Sequence, residues 1–142
     1  MEIRRANADD AQQISSLIDE LGYVITEELI QQKLATFRDS VNDAVLVAVV
    51  DGRLVGCISL HAMAVFHKEG NFGRVTSFVV TTMQRSQGVG AALLASAHVW
   101  FESMNCSKFE LTSGDQRTDA HRFYEGHGYR RDGQRFSRKV SV

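Results

Sequence analysis

Apolar positions along this chain recur in two periods, and the switches between them outline the fold. After a short first strand over 2–5, Asn7 followed three residues on by Asp10 marks a helix start, and Ile14, Leu17, Ile18 and Leu21 repeat at helical spacing until Gly22 can close the helix. Thr26 caps a second helix, whose buried side is read as Leu29, Ile30, Leu34 and Phe37. Two apolar runs, 45–50 and 54–60, are joined by Asp51-Gly52, a dipeptide that favours a tight hairpin turn. A further strand spans roughly 74–80. Val89, Leu93, Ala97, Trp100 and Met104 then repeat at helical spacing, which lays a long helix against the sheet. A strand over 109–112, a short helix over 119–126 and a last pair of strands over 129–140 complete the series.

Composition narrows the classes. The length of 142 residues and 44% hydrophobic content suit a single domain over 1–142 with a real core. A formal charge of −1 without a basic tract argues against nucleic acid, and no apolar run is long enough to span a bilayer, so neither nucleic acid nor membrane is an expected partner. Cys57 and Cys106 lack paired spacing and no signal-peptide pattern precedes them, which points to the cytoplasm. The five histidines show no zinc-site spacing, so no metal is expected. Proline is absent, where average usage of ~5% would give about seven.

The run Arg85-Ser86-Gln87-Gly88-Val89-Gly90, between an apolar segment (Phe78-Val79-Val80) and the long helix, has the form of a phosphate cradle. Two glycines let the backbone turn tightly, and the following helix aims unpaired N–H groups and its positive dipole end at an anion. A nucleotide-hydrolysing loop is a poor alternative, because no Gly-Lys-Ser/Thr follows the glycines.

This cradle resembles the acetyl-CoA motif of the GCN5-related N-acetyltransferase family, with Arg85, Gly88 and Gly90 in its fixed places. Thirty residues on, Ala120-His121-Arg122-Phe123-Tyr124-Glu125-Gly126-His127-Gly128-Tyr129 is similar to the family's second signature. The resemblance covers nearly the whole chain. It implies an α/β (α+β) fold with a central, mostly antiparallel mixed sheet of six to seven strands, about four flanking helices, and strands 4 and 5 splayed to admit the pantetheine arm of acetyl-CoA.

It also implies roles. Val80 would bond the pantetheine, and the N–H of Phe78 would face the thioester carbonyl and stabilise an oxyanion, an effect worth roughly 3 kcal/mol elsewhere. Val79, Arg85, Ser86, Gln87, Gly88, Val89, Gly90 and Ala91, with Arg117, Ala120 and Phe123, would complete the cofactor contacts. Tyr124 would protonate the departing thiolate, since a phenol stays protonated at neutral pH. Where some members carry a basic glutamate, this chain has Arg74. His61, read as the end of the neighbouring strand, is then a candidate base, and Ser77 or Ser113 could hold a relaying water.

The tail from Glu110 to Lys139 is similar to the aminoalkylphosphonate N-acetyltransferase branch, which makes Arg74, Arg117 and His121 candidates for an anionic group on the acceptor. Tyr23, in the loop between the first two helices, is a candidate for a cationic amine. The reading is an acetyl-CoA-dependent N-acetyltransferase acting on the primary amine of a small molecule, with a homodimer expected by analogy. A protein amino-group acetyltransferase and a CoA-binding sensor without catalysis are the alternatives.

Overall fold

A computed structural model describes residues 1–85, 87–114 and 116–141. These fall into two compact units, Met1–Leu111 and the chain from Thr112 onward. The first unit holds one sheet in the order β1 (Glu2–Arg5), β2 (Asp43–Val50), β3 (Arg53–Ala64), β4 (Asn71–Val80) and β5 (Cys106–Glu110). All neighbours are antiparallel except β4 and β5, which are parallel. Its helices are α1 (Ala11–Asp19), α2 (Glu27–Arg38) and α3 (Val89–Ser103).

The turns form for local reasons. Asn7 accepts from the Asp9 amide at 2.9 Å while Asp10 takes the Asn7 amide at 2.8 Å, a reciprocal cap on the 3-10 turn that leads into α1. The Thr26 hydroxyl accepts from the Leu29 amide and starts α2. Asp51 and Gly52 both have positive φ, 51° and 78°, as the two-residue hairpin between β2 and β3 requires. The α3 helix ends where the Asn71 amide side chain donates to the Met104 carbonyl at 2.7 Å, and β5 begins directly after Asn105.

The sheet buries both faces. Ile14, Leu17 and Ile18 of α1 and Ile30 and Leu34 of α2 pack with Val47, Cys57 and Val79 on one face. On the other, Gly56 leaves room for Val89 and Leu93 of α3, and Gly73 for the ring of Phe101. The α3 stripe therefore differs from the one read from spacing. Phe101 is fully buried, whereas Trp100 and Met104 are half-buried. The helix is apolar on most sides, so spacing alone cannot choose between steps of three and four; the missing Cβ at Gly73 decides it. Leu29, expected inside, is exposed, because the cap places it in the first turn of α2 on the side away from Ile30 and Leu34.

Five strands are formed among the described residues rather than six or seven. The pair expected over 129–140 is not formed there, and those residues are nearly all exposed. Arg130, Arg131, Asp132, Arg135, Arg138 and Lys139 leave that stretch too few apolar side chains to bury a face. In the second unit α4 (Thr118–Gly126) is the one α-helix among the described residues.

Candidate functional site

The pairing of β4 with β5 runs from Asn71↔Cys106 to Arg74↔Glu110 and stops, while β4 continues to Val80. The direction of the backbone groups in this extension follows from its other side. The Thr81 amide donates to the Val55 carbonyl of β3 at 2.8 Å. In an antiparallel ladder the bonding direction alternates, so Val79 and Thr81 face β3, and Phe78 and Val80 direct their N–H and C=O groups toward the β5 side. The strand thus has the form of a template to which an extended amide chain can add.

The cradle follows at once. Thr82–Gln84 forms a 3-10 turn, and the Arg85 guanidinium folds back, with Nε 3.5 Å from the Val80 carbonyl. Gly88, with φ of 83°, opens α3 and supplies no side-chain cap, and a Cβ there would meet nothing within 4 Å. The first-turn amides of Val89, Gly90 and Ala91 are therefore presented at an open, dipole-positive helix start, which suits the diphosphate of acetyl-CoA. Ser86 lies outside the described residues. The Thr82 amide, at the start of this turn, donates to the Glu20 carboxylate at 3.0 Å. Tyr23, in the loop between α1 and α2, is exposed.

A polar chain lies on the face of the sheet that α1 and α2 cover. His61 is not at a strand end, because β3 continues to Ala64 through the pairs His61↔Arg74 and Ala64↔Asn71. Its Nδ1 is 2.6 Å from Asp43 Oδ1 and its Nε2 2.6 Å from Thr76 Oγ1, which is 2.7 Å from Ser59 Oγ. The Ser40 hydroxyl donates to Asp43 Oδ2 at 2.6 Å, and the Phe37 ring packs edge-on against the imidazole at 5.4 Å. Burial pushes the Asp43 carboxyl up, but the Ser40 and His61 hydrogen bonds outweigh it and hold the group below its ordinary range. Beside this chain, Arg74 donates to Glu110 at 2.9 Å. Glu110 thus returns a carboxylate next to the position where some relatives carry glutamate. Apart from Ser40 and Asp43, which are three residues apart, these partners are separated by 15 to 36 residues in sequence, which hid them.

In the second unit Tyr124 is fixed by the end of its own helix. Gly128 is left-handed, with φ of 89°; its amide donates to the Glu125 carbonyl and that of Tyr129 to the Tyr124 carbonyl. These two bonds are the Schellman stop, with its apolar contact made by the Tyr124 and Tyr129 rings, 6.0 Å apart. The glycine-aromatic end of the second signature is thus a helix stop that locks the tyrosine. Burial raises the Tyr124 phenol above its ordinary value, only partly opposed by the Arg117 charge, and Tyr129 is pushed up to about 12 by burial and by Tyr124. Both stay protonated at neutral pH. Arg117 is exposed at the start of α4, and Ala120 and Phe123 are half-buried along it. His121 has both ring nitrogens engaged, Nε2 donating to the Gly114 carbonyl at 2.8 Å and Nδ1 accepting from Arg131 at 3.0 Å. The Ser113 hydroxyl is buried with no hydrogen-bond partner among the described residues.

A mixed sheet whose parallel pair parts just before a glycine-opened helix start, with backbone groups aimed into the parting, defines the architecture of a coenzyme A-dependent acyltransferase. The sequence profile described as "Acetyltransferase (GNAT) family" matches residues 12–129, and the chain belongs to that family. The aminoalkylphosphonate N-acetyltransferase of Salmonella typhimurium is 33% identical over 146 residues, covering 98% of this chain and 91% of that one. Among solved structures, a GNAT family acetyltransferase of Staphylococcus aureus superposes with a TM-score of 0.82 at 22% identity, covering 98% of each chain. A transcriptional regulator from Bacillus halodurans C-125 gives 0.87 at 19% identity, over 98% of this chain and 99% of that one. The fold is shared, then, by proteins with differently described roles.

Proposed function

We propose that the protein transfers acetyl from acetyl-CoA directly to the primary amine of a small molecule, with 1–142 acting as one catalytic domain. The observation that carries this is the run of β4 from Val75 to Val80 beyond its last pair with β5, leading straight into the uncapped start of α3. The pantetheine arm adds to this edge through Val80. The Phe78 amide polarises the thioester carbonyl and stabilises the oxyanion, the diphosphate rests on the amides of Val89, Gly90 and Ala91, and Arg85 stands beside it. Tyr124 gives its proton to the departing thiolate, a task for which a phenol held above its ordinary range is suited.

The acceptor is a small amine, and the aminoalkylphosphonate class heads the candidates through the 33% identity with the Salmonella typhimurium enzyme. The Arg74–Glu110 pair supports that choice, since guanidinium and carboxylate side by side complement an acceptor that carries an anion and an ammonium. The test is CoA release from acetyl-CoA across aminoalkylphosphonates, amino acids, polyamines, aminoglycosides and short lysine peptides, with the product identified by mass. A small-molecule product is expected. Acetylation of the lysine peptides alone, or of nothing despite tight acetyl-CoA binding, would overturn the proposal.

A further inference from the structure

We infer that Thr76 is the group that takes the proton from the incoming amine, made basic by His61 and Asp43 behind it; this deepens the acetyl-transfer reading and rests on it.

Ser59 pairs with Ser77 and Leu60 with Val75, so Thr76 is the extra residue of a β-bulge. In a regular strand residue 76 would point away from the face that Ser77 shares with Ser59. The bulge turns it toward that face, where its hydroxyl meets both His61 and Ser59. Bulges that re-aim one side chain are over-represented beside active sites. Here the re-aimed group is exposed, whereas Ser59 is buried and Asp43 and His61 are half-buried behind it. The hydroxyl is therefore the point at which this polar chain reaches solvent.

Hydrogen-bond direction is fixed by the carboxylate. Ionised Asp43 only accepts, so Nδ1 of neutral His61 carries the proton and Nε2 presents a lone pair. Thr76 then donates to Nε2, and Ser59 donates to Thr76. This order of carboxylate, imidazole and hydroxyl is the one that makes serine basic in hydrolases. In an acetyltransferase with direct transfer the hydroxyl has no acyl group to accept; it relays a proton. Thr76 lies two residues before Phe78, at most ~7 Å along the strand, a separation across which an amine bonded to Thr76 and a thioester carbonyl bonded to the Phe78 amide can meet at reacting distance.

The step balances as follows. The ammonium gives one proton to Thr76 Oγ1 as the Thr76 proton passes to His61 Nε2, and the imidazolium lies against the Asp43 carboxylate. The neutral amine attacks the thioester carbon; the C–N bond forms and the C–S bond breaks. As the intermediate collapses, Tyr124 gives its proton to the thiolate, the nitrogen sheds its second proton to water and the Tyr124 phenolate regains one from water, so the net proton released to solvent is the one held by the imidazolium. The charged groups around the imidazole are Asp43 from β2 and Arg74 from β4, the latter tied to Glu110 of β5. From α2 the contact is the uncharged ring of Phe37, and Arg38 and Asp39 pair with each other in solvent.

The test uses the full-length protein with the best acceptor from the amine panel and with hydrazine, which is already largely neutral at pH 8.5 (about 8 for its conjugate acid, against about 10.4 for a lysine-type amine). Thr76→Val is expected to lower kcat for the alkylamine by roughly 100-fold, the usual worth of a positioned base, and to move the rising limb of the pH profile up toward the amine's own value of about 10.4. Acetyl-CoA binding and turnover of hydrazine should change by less than about 3-fold, and Thr76→Ser should restore most of the alkylamine rate, since it keeps the hydroxyl. Asp43→Asn and His61→Gln should reproduce the loss and the altered pH profile. Equal activity of Thr76→Val and the unaltered protein, or an equal loss for hydrazine, would overturn the relay while leaving acetyl transfer standing. An acetylated Thr76 trapped by mass spectrometry would overturn it in favour of a covalent route. Failure of the unaltered protein to acetylate any amine would overturn both.

Discussion

Replacing Gly73 by alanine tests the packing that sets where β4 and β5 part. A Cβ at this position would lie 2.4, 2.6 and 2.9 Å from Cδ1, Cε1 and Cγ of Phe101. Ordinary contact begins near 3.4 Å, so the ring must retreat by about 1 Å. It cannot simply swing its tip aside, because Cγ, next to the helix backbone, is among the atoms struck. It is also held behind, stacked on Phe109 at 4.9 Å and edge-on to Trp100 at 5.5 Å. Overpacking of this kind costs about 1–3 kcal/mol, and loss of the ring stack adds about 0.5–1.5 kcal/mol. The stiffer unfolded chain returns about 0.4–1 kcal/mol. A net loss of about 1–3 kcal/mol lowers the melting temperature by roughly 3–9 °C in a protein of this size. Calorimetry and urea titration measure it. Adding Phe101→Leu should recover part of the loss, a coupling that separates a clash from a general intolerance of substitution. Gly126→Ala, where a Cβ meets nothing within 4 Å, is the control and should leave stability unchanged or raised. A Gly73→Ala protein that melts with the unaltered one, or a double variant whose loss is the sum of the singles, would refute the assigned packing.

Other outcomes follow from the same contacts. Asp10 is buried and takes two bonds from Arg4, at 2.7 and 2.9 Å, and one from the Asn7 amide; the Arg4 bonds above all hold its carboxyl below the ordinary range. Its stabilisation is thus whole above the unfolded value of about 3.9 and is lost as pH falls through the lower folded value. Asp10→Asn should cost about 2–3 kcal/mol at pH 7, less than a fully buried pair because Arg4 is a third exposed, and should flatten the acid limb of a stability profile. Burial pushes the fully buried Cys57 thiol up to about 12 and raises that of half-buried Cys106 less far, so a thiol reagent at pH 8 should label one site faster than the other and Cys106→Ser should remove the faster phase. Tyr124→Phe should lower kcat by about 100-fold with acetyl-CoA affinity retained, as measured by stopped-flow and calorimetric titration. Glu20→Ala removes the acceptor of the Thr82 amide and should weaken acetyl-CoA binding about 2–5-fold, the worth of one net hydrogen bond; Glu20→Gln should not.

What the sequence made legible is what depends on neighbours in sequence. The caps at Asn7 and Thr26, the Asp51-Gly52 hairpin and the left-handed Gly88 are all local events, each written in two to four consecutive residues. So is the Gly128 stop behind Tyr124, although its meaning as a helix end emerges only from its two hydrogen bonds. What stayed hidden depends on register. Whether Trp100 or Phe101 enters the core rests on Gly73, and whether residue 76 faces His61 or α3 rests on one inserted residue in β4. A shift of one residue reverses every face in a strand, and no periodicity within β4 reports which of its residues is the extra one. The charged stretch after Tyr129 misled for a different reason. It carries turn residues and occasional aromatics such as Phe136, but that side chain is exposed and no apolar face accompanies it.

Strand β4 makes the passage from fold to chemistry within ten residues, and each change along it is imposed by a neighbour. Asn71 to Arg74 is held between two strands, with Gly73 locked over Phe101, so the parallel pairing to β5 cannot drift. The bulge at Thr76 follows two residues after the last of those pairs. Inside a doubly paired strand a bulge disrupts two ladders; beyond the end of β5 it disrupts one, so the place where pairing stops is also where an extra residue is tolerated at least cost. After it the antiparallel alternation with β3 resumes, fixed by Thr81 on Val55, and that alternation points the Phe78 and Val80 amides toward the parted side. A polar side chain turned out of register and two backbone groups turned outward thus have one structural origin. Both lie beyond the last pair of β4 with β5, and the packing of Gly73 over Phe101 just before it fixes where that pairing ends.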